Sequence, residues 1–130
     1  MNCLDSSFVI DFLDPDGEHH AEAKEWMRRH ADEPLVVPYI CAFEVLRGAV
    51  RGDSYEKVES FLRNRSVDVP HSGLSNAVDA AGFDSRLHDD GSPLSARDTL
   101  VASHAWTKGY TLVTRDRDFE DAPVETEFYV

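Results

Sequence analysis

The sequence predicts an α/β protein, with a central, mainly parallel sheet covered by helices on both faces. Three observations lead there. Short apolar runs at residues 35–37, 67–69 and 110–114 alternate with longer stretches of helical period. Pro38 and Pro70 close two of those runs, and Gly109 stands where a helix must stop before the third. Strands that alternate with helices need helical crossovers, which produces parallel pairing and a sheet buried on both sides. The chain has 130 residues, 42% of them apolar. That suffices for one domain over residues 1–130, which buries roughly two-thirds of its unfolded surface without disulfide staples. No repeat, low-complexity segment or linker interrupts it.

The elements follow in order. Residues 2–5 form a short first strand, and SSFVIDFL then starts a helix capped by Ser6 or Ser7. Asp14-Pro15-Asp16-Gly17 is a turn. Residues 18–30 form a helix with its alanines, Trp26 and Met27 on one side. The strand at 35–37 leads into a helix over about 39–50, ended by Arg51-Gly52, and a second amphipathic helix covers 55–64. After the strand at 67–69 a helix is expected over 75–88. Ser95 caps another that runs to about Lys108, and a final strand is expected near 127–130. Trp26 and Trp106 fall on helical stripes and read as core or dimer contacts.

Composition limits the function. The formal net charge is −12, from 25 acidic residues against ten Arg and three Lys. Nucleic-acid binders are usually basic, because phosphate contacts dominate their affinity. A dense acidic surface poor in lysine instead resembles adaptation to high salt, where repulsion is screened within ~3 Å at 1 M. We therefore give the net charge little weight against a nucleic-acid substrate. Cys3 and Cys41 lie in apolar context without metal-ligand spacing and read as buried free thiols. No apolar run is long enough for a membrane span. The N-terminus opens directly as a strand, without a basic segment or cleavage signature, which points to the cytoplasm.

Four acids carry the chemistry. Asp5, Glu44, Asp98 and Asp116 sit at predicted strand ends or helix starts, embedded in apolar runs such as VPYICAFEVLRG. A buried carboxylate without a counter-charge costs several kcal/mol or more. Each has a simpler role available. Asp5 suits a helix cap, Glu44 could pair with Arg47, and Asp98 fits the third position after the Ser95 cap. Asp116 or Asp118 could be a turn residue, and either could be the fourth acid. In a parallel α/β sheet, however, sites form at the carboxyl ends of strands, so these acids can converge. Gathered together they suit a hard divalent cation with oxygen ligands, and without it their pKa values should rise. No histidine stands at a useful spacing; His104 lies six residues past Asp98, off its helix face.

The runs LDSSFVIDFL, FEVLRGA and SARDTLVASHAWTKGYTLVTRDRDF resemble, in this order, a PIN-domain ribonuclease of the VapC toxin type. The resemblance covers about residues 2–120. It implies a three-layer α/β/α fold in which Asp5, Glu44, Asp98 and Asp116 are catalytic. Asp5, Asp98 and Asp116 would bind Mg²⁺ or Mn²⁺, with Ser6, Thr114 and Asp118 in support. It further implies an RNA substrate, a VapB-type antitoxin and a homodimer. Arg47, Arg97, Arg115 and Arg117 flank the acids, either to contact RNA or antitoxin or to neutralise the acids when no cation is bound. The net charge departs from many such relatives. Rival α/β enzymes fit less well: a haloacid-dehalogenase-like phosphatase needs a second Asp where Ser7 stands, and a receiver needs a late Lys. A non-catalytic module of the same fold is the alternative, as is a fold whose acids only bind structural cations.

Overall fold

The computed structural model describes residues 1–130. Five strands, β1 (Asn2–Leu4), β2 (Leu35–Val36), β3 (Val67–Asp68), β4 (Thr111–Thr114) and β5 (Thr126–Phe128), form one sheet in the order β3-β2-β1-β4-β5. Every pairing is parallel. Six helices supply the crossovers: α1 (Ser6–Leu13), α2 (His20–Arg29), α3 (Tyr39–Ala49), α4 (Tyr55–Leu62), α5 (Leu74–Asp89) and α6 (Ala96–Lys108). The result is a three-layer α/β/α fold. No helix is long and apolar enough to cross a membrane.

The strand order determines where a site can form. The chain adds β2 and β3 on one side of β1, then returns with β4 and β5 on the other. That reversal opens a crevice beyond the carboxyl ends of β1 and β4, the place where ligands bind in open α/β sheets. The Asp5 N–H donates to the Val113 carbonyl at 3.1 Å, which carries the β1–β4 pairing to the lip of the crevice.

Beneath it lies a continuous core. Leu4, Phe8, Trp26, Phe83, Leu87, Leu112, Val113 and Phe119 are all fully buried within one cluster. Phe8 meets Trp26 and Tyr129 edge-on, each at 5.0 Å between centroids. The cysteines are buried free thiols. Trp106 remains 40% exposed, resting on Phe83 beneath the Arg86 guanidinium.

Several expectations need correction. The cap of α1 is Asp5, whose side chain accepts from the Ser6 N–H; neither serine takes that role. A carboxylate at the strand end can receive this N–H with its full charge at the positive helix terminus. Helix α2 begins at His20 rather than at residue 18, and no side chain caps it. The last strand is Thr126–Phe128, shifted by its register against β4. Ser95 caps α6, accepting from the Asp98 N–H, and Gly109 ends it at φ 70°, a left-handed conformation that glycine adopts without strain.

Candidate active site

Asp5 anchors the crevice. Only 2% exposed, it is saturated with donors: the Ser6 N–H at 2.9 Å, Thr114 Oγ1 at 2.7 Å and Arg97 Nη2 at 2.8 Å. These hydrogen bonds make burial of the carboxylate tolerable. Thr114 is the last residue of β4, so one short bond ties the ends of the two central strands. Its hydroxyl also accepts from the Asp116 N–H at 3.0 Å, which orients the next acid.

Arg97 sits among the acids. Its Nε donates to both Glu44 oxygens at 3.1 and 3.2 Å, and its Nη1 to Asp98 Oδ1 at 2.8 Å. Nη2 reaches Glu44 Oε1 as well as Asp5, both at 2.8 Å. One guanidinium thus meets three carboxylates. Ser6 Oγ adds a 2.7 Å bond to Glu44, so Glu44 turns toward Arg97 and Ser6 instead of pairing with Arg47. Partial burial tends to raise the Glu44 pKa, but the Arg97 and Ser6 hydrogen bonds outweigh it and hold the carboxyl below its ordinary value. The expected rise is therefore not found at Glu44, because Arg97 supplies the counter-charge. Arg97 in turn gives up hydration on burial, yet its carboxylate partners raise its pKa further.

The remaining acids come from α6 and the segment after β4. Asp98 is 8% exposed in the first turn of α6, its N–H bonded to Ser95 Oγ at 3.1 Å. Asp116 caps the 3₁₀ turn Arg117–Phe119, accepting from the Asp118 N–H at 2.9 Å. The capping roles are real, and they coexist with convergence. One oxygen each of Asp98, Asp116 and Asp118 lie within 4.8 Å of one another. Two oxygens on opposite sides of one Mg²⁺ stand ~4 Å apart, so this all-carboxylate set suits a hard divalent ion. Both Asp116 and Asp118 reach the cluster. Asp5 and Glu44 adjoin it through Arg97.

A polar cleft lined by Asp5, Ser7, Arg97, Asp98, Arg115, Asp116 and Arg117 opens over these groups. A family model described as the PIN domain matches residues 3–125. The chain belongs to the PIN domain family. No curated protein matches the sequence. Solved structures do resemble this PIN domain over nearly its whole length. A toxin–antitoxin complex from Klebsiella pneumoniae aligns with a TM-score of 0.79 at 19% identity, covering 100% of this chain and 98% of that one. VapBC2 from Rickettsia felis, bound to a DNA fragment from its promoter, gives 0.77 at 19%, covering 98% and 97%. VapC20 of Mycobacterium tuberculosis, described as a toxin that cleaves the sarcin–ricin loop, gives 0.78 at 16%, covering 95% and 96%. At such identities the likeness is one of fold.

The sequence reading missed an acid that holds one of the cleft arginines of this PIN domain. Asp11, buried in α1, accepts from Arg115 Nε at 2.7 Å and from the Tyr129 hydroxyl at 2.6 Å. Asp11 lies between Ile10 and Phe12, as embedded as Glu44, so the signal was present. Burial, followed by this bond to Asp11, pushes the Tyr129 pKa up. The Arg115 pKa rises chiefly through its bond to Asp11. Arg117 lies over the Phe128 ring at 4.1 Å and donates to the Val130 carbonyl. Arg47 points elsewhere, stacked on exposed Phe43 at 5.2 Å and outside the cleft lining. Cys41 Sγ stands 3.7 Å from Asp5 Oδ1, and burial with the nearby carboxylate pushes its pKa up to about 12, so it is no nucleophile. No histidine lines the cleft; His104 borders a separate apolar groove with Tyr39, Phe43 and Leu100.

Proposed function

We propose that this PIN domain is a metal-dependent endoribonuclease, the toxin of a toxin–antitoxin pair. One observation carries the reading: Asp5, Glu44, Asp98, Asp116 and Asp118, from four separate segments, converge at the strand-order reversal. Asp98 and Asp116, with Asp118 beside them and Asp5 adjoining, would hold Mg²⁺ or Mn²⁺. When bound, such an ion acidifies water and stabilises charge on a scissile phosphate. The chain's own groups position the rest. Thr114 fixes Asp5 and the turn that presents Asp116. Arg115 and Arg117 line the cleft and offer guanidinium groups to phosphate oxygens. They answer the objection from net charge, since three of the ten arginines line this one cleft. In the proposed hydrolysis, a water oxygen bonds to phosphorus and the bond to the 3′ oxygen breaks. That oxygen takes a proton, leaving a 5′-phosphate and a 3′-hydroxyl.

The toxin reading rests on fold likeness to VapBC complexes and extends it: a VapB-type antitoxin would cover the cleft, in the cytoplasm. Exposed Tyr39, Phe43 and Leu100, which line one groove, support a homodimer by offering apolar surface to a second copy. A non-catalytic PIN module is the second reading, favoured by the way Arg97 already neutralises part of the acid cluster.

Cleavage of a mixed tRNA and rRNA pool by purified protein, in Mg²⁺, Mn²⁺ or EDTA at high salt, separates the two. The expected result is cutting that depends on the metal and falls more than about 100-fold in Asp98→Asn, as loss of a metal ligand should exceed the effect of losing an outer partner. Folded, antitoxin-free protein that cuts nothing with either metal would favour the non-catalytic module.

A further inference from the structure

The geometry points to Arg97 as an internal cation that a divalent metal must displace, so that metal loading and Arg97 docking are mutually exclusive states of this cleft. The inference rests on the metal-dependent reading above and concerns how that site is regulated.

Arg97 Nη1 engages Asp98 Oδ1, and Nη2 engages Asp5 Oδ1 and Glu44 Oε1, each at 2.8 Å. Further Nη2 contacts go to Ser6 Oγ at 2.9 Å and to Cys41 Sγ at 3.7 Å. Asp98 is therefore shared: it belongs to the oxygen cluster with Asp116 and Asp118, and it also holds the guanidinium. A hard ion drawing Asp98 and Asp5 into its coordination shell competes for the same carboxylates that hold Arg97. Two cations held at contact distance by the same carboxylates repel each other strongly. Nor is Arg97 walled in, since its side chain is 27% exposed and lines the cleft. It can swing out toward solvent, where the long guanidinium arm is readily hydrated. Asp5 has no such freedom at 3% side-chain exposure. The arginine is the movable partner, and Asp5 and Asp98, at 3% and 12% side-chain exposure, are the fixed ones.

The arrangement has a chemical purpose. Without any cation, Asp5, Glu44 and Asp98 would repel one another in a partly buried space. Arg97 keeps them aligned before the metal arrives, and its release leaves a free guanidinium at the cleft.

The test uses the full chain with Mn²⁺ or Mg²⁺ alone as the probe. Calorimetric titration should give binding about tenfold or more tighter in Arg97→Gln than in the wild type, since a competing charge at contact has been removed. Arg97→Lys keeps the charge without the fork and should fall between, and it serves if the Gln variant folds poorly. Removal of a merely nearby charge would also tighten binding, so a second readout is needed. The Arg97 Nε–H resonance, identified by its absence in Arg97→Lys, should be protected from exchange in EDTA and lose that protection as metal saturates. A resonance unchanged at saturation, or equal affinities in all three proteins, overturns the displacement while leaving the metal site intact. Absence of binding in all three overturns the metal-dependent function itself, and this proposal with it.

Discussion

Two guanidinium–carboxylate knots flank the first helix, and their difference separates a balanced ion pair from an unbalanced one. Arg115 meets one carboxylate, Asp11, with the Tyr129 hydroxyl as an added donor; one positive charge balances one negative. Arg97 meets three, Asp5, Glu44 and Asp98, which leaves two negative charges uncompensated before Asp116 and Asp118 are added. Both knots contain a carboxylate with little exposure: 8% for the Asp11 side chain and 3% for that of Asp5. Burial of an acid is therefore a poor marker of function. The excess of charge over its nearest partner is the better one, because that excess calls for a mobile cation.

Breaking the balanced knot should cost stability. Arg115→Met leaves Asp11 buried with only Tyr129 as a partner, and should destabilise the domain by about 3 kcal/mol in urea unfolding. Asp11→Asn should cost less, because Arg115 is 40% exposed and can turn to water. The opposite order would mean that Arg115 is the trapped member of the pair. Tyr129→Phe removes a single bond to Asp11 and should cost about 1 kcal/mol.

The unbalanced knot should reveal itself in acid. Glu44 has a folded pKa below its ordinary 4.5. The unfolded chain then takes up that proton first, so the contribution is complete above about pH 4.5 and is lost as pH falls through the folded value. Melting temperatures followed from about pH 5 to 3 should drop more steeply in the wild type than in Glu44→Gln. Parallel curves would remove Glu44 from the acid response. The smallest effect is expected at Arg47→Ala: within about 0.5 kcal/mol, as for surface positions generally, and without change in RNA binding. A marked loss of RNA binding there would extend the contact surface beyond the cleft.

What was legible in the sequence depended on distance along the chain. Helix α6 and strand β4 could be read because Ser95, Gly109 and the TLVT run act on their own neighbours. Asp5, Asp98 and Asp116 stood out because strand ends and helix starts are local features too. Asp11 had the same apolar flanks but no strand end, and its partners lie 104 and 118 residues away. The Arg97 contacts to Glu44 and Asp5 span 53 and 92 residues, so periodicity could place Arg97 beside the acids without saying which it would hold. The cap of α1 was misread for a different reason. Serine and aspartate compete for that role, and the outcome followed from where β1 ends.

The central position of β1 also governs when the cleft can exist during synthesis. Its first strand is flanked on one side by a strand completed only at Thr114, and Asp5 waits for that residue's hydroxyl. At ordinary elongation speeds, about 5–20 s separate the making of Asp5 from that of Asp116. Throughout that interval the growing polypeptide has acids but no cleft. Convergence of the acids is therefore one of the last events in the making of the chain.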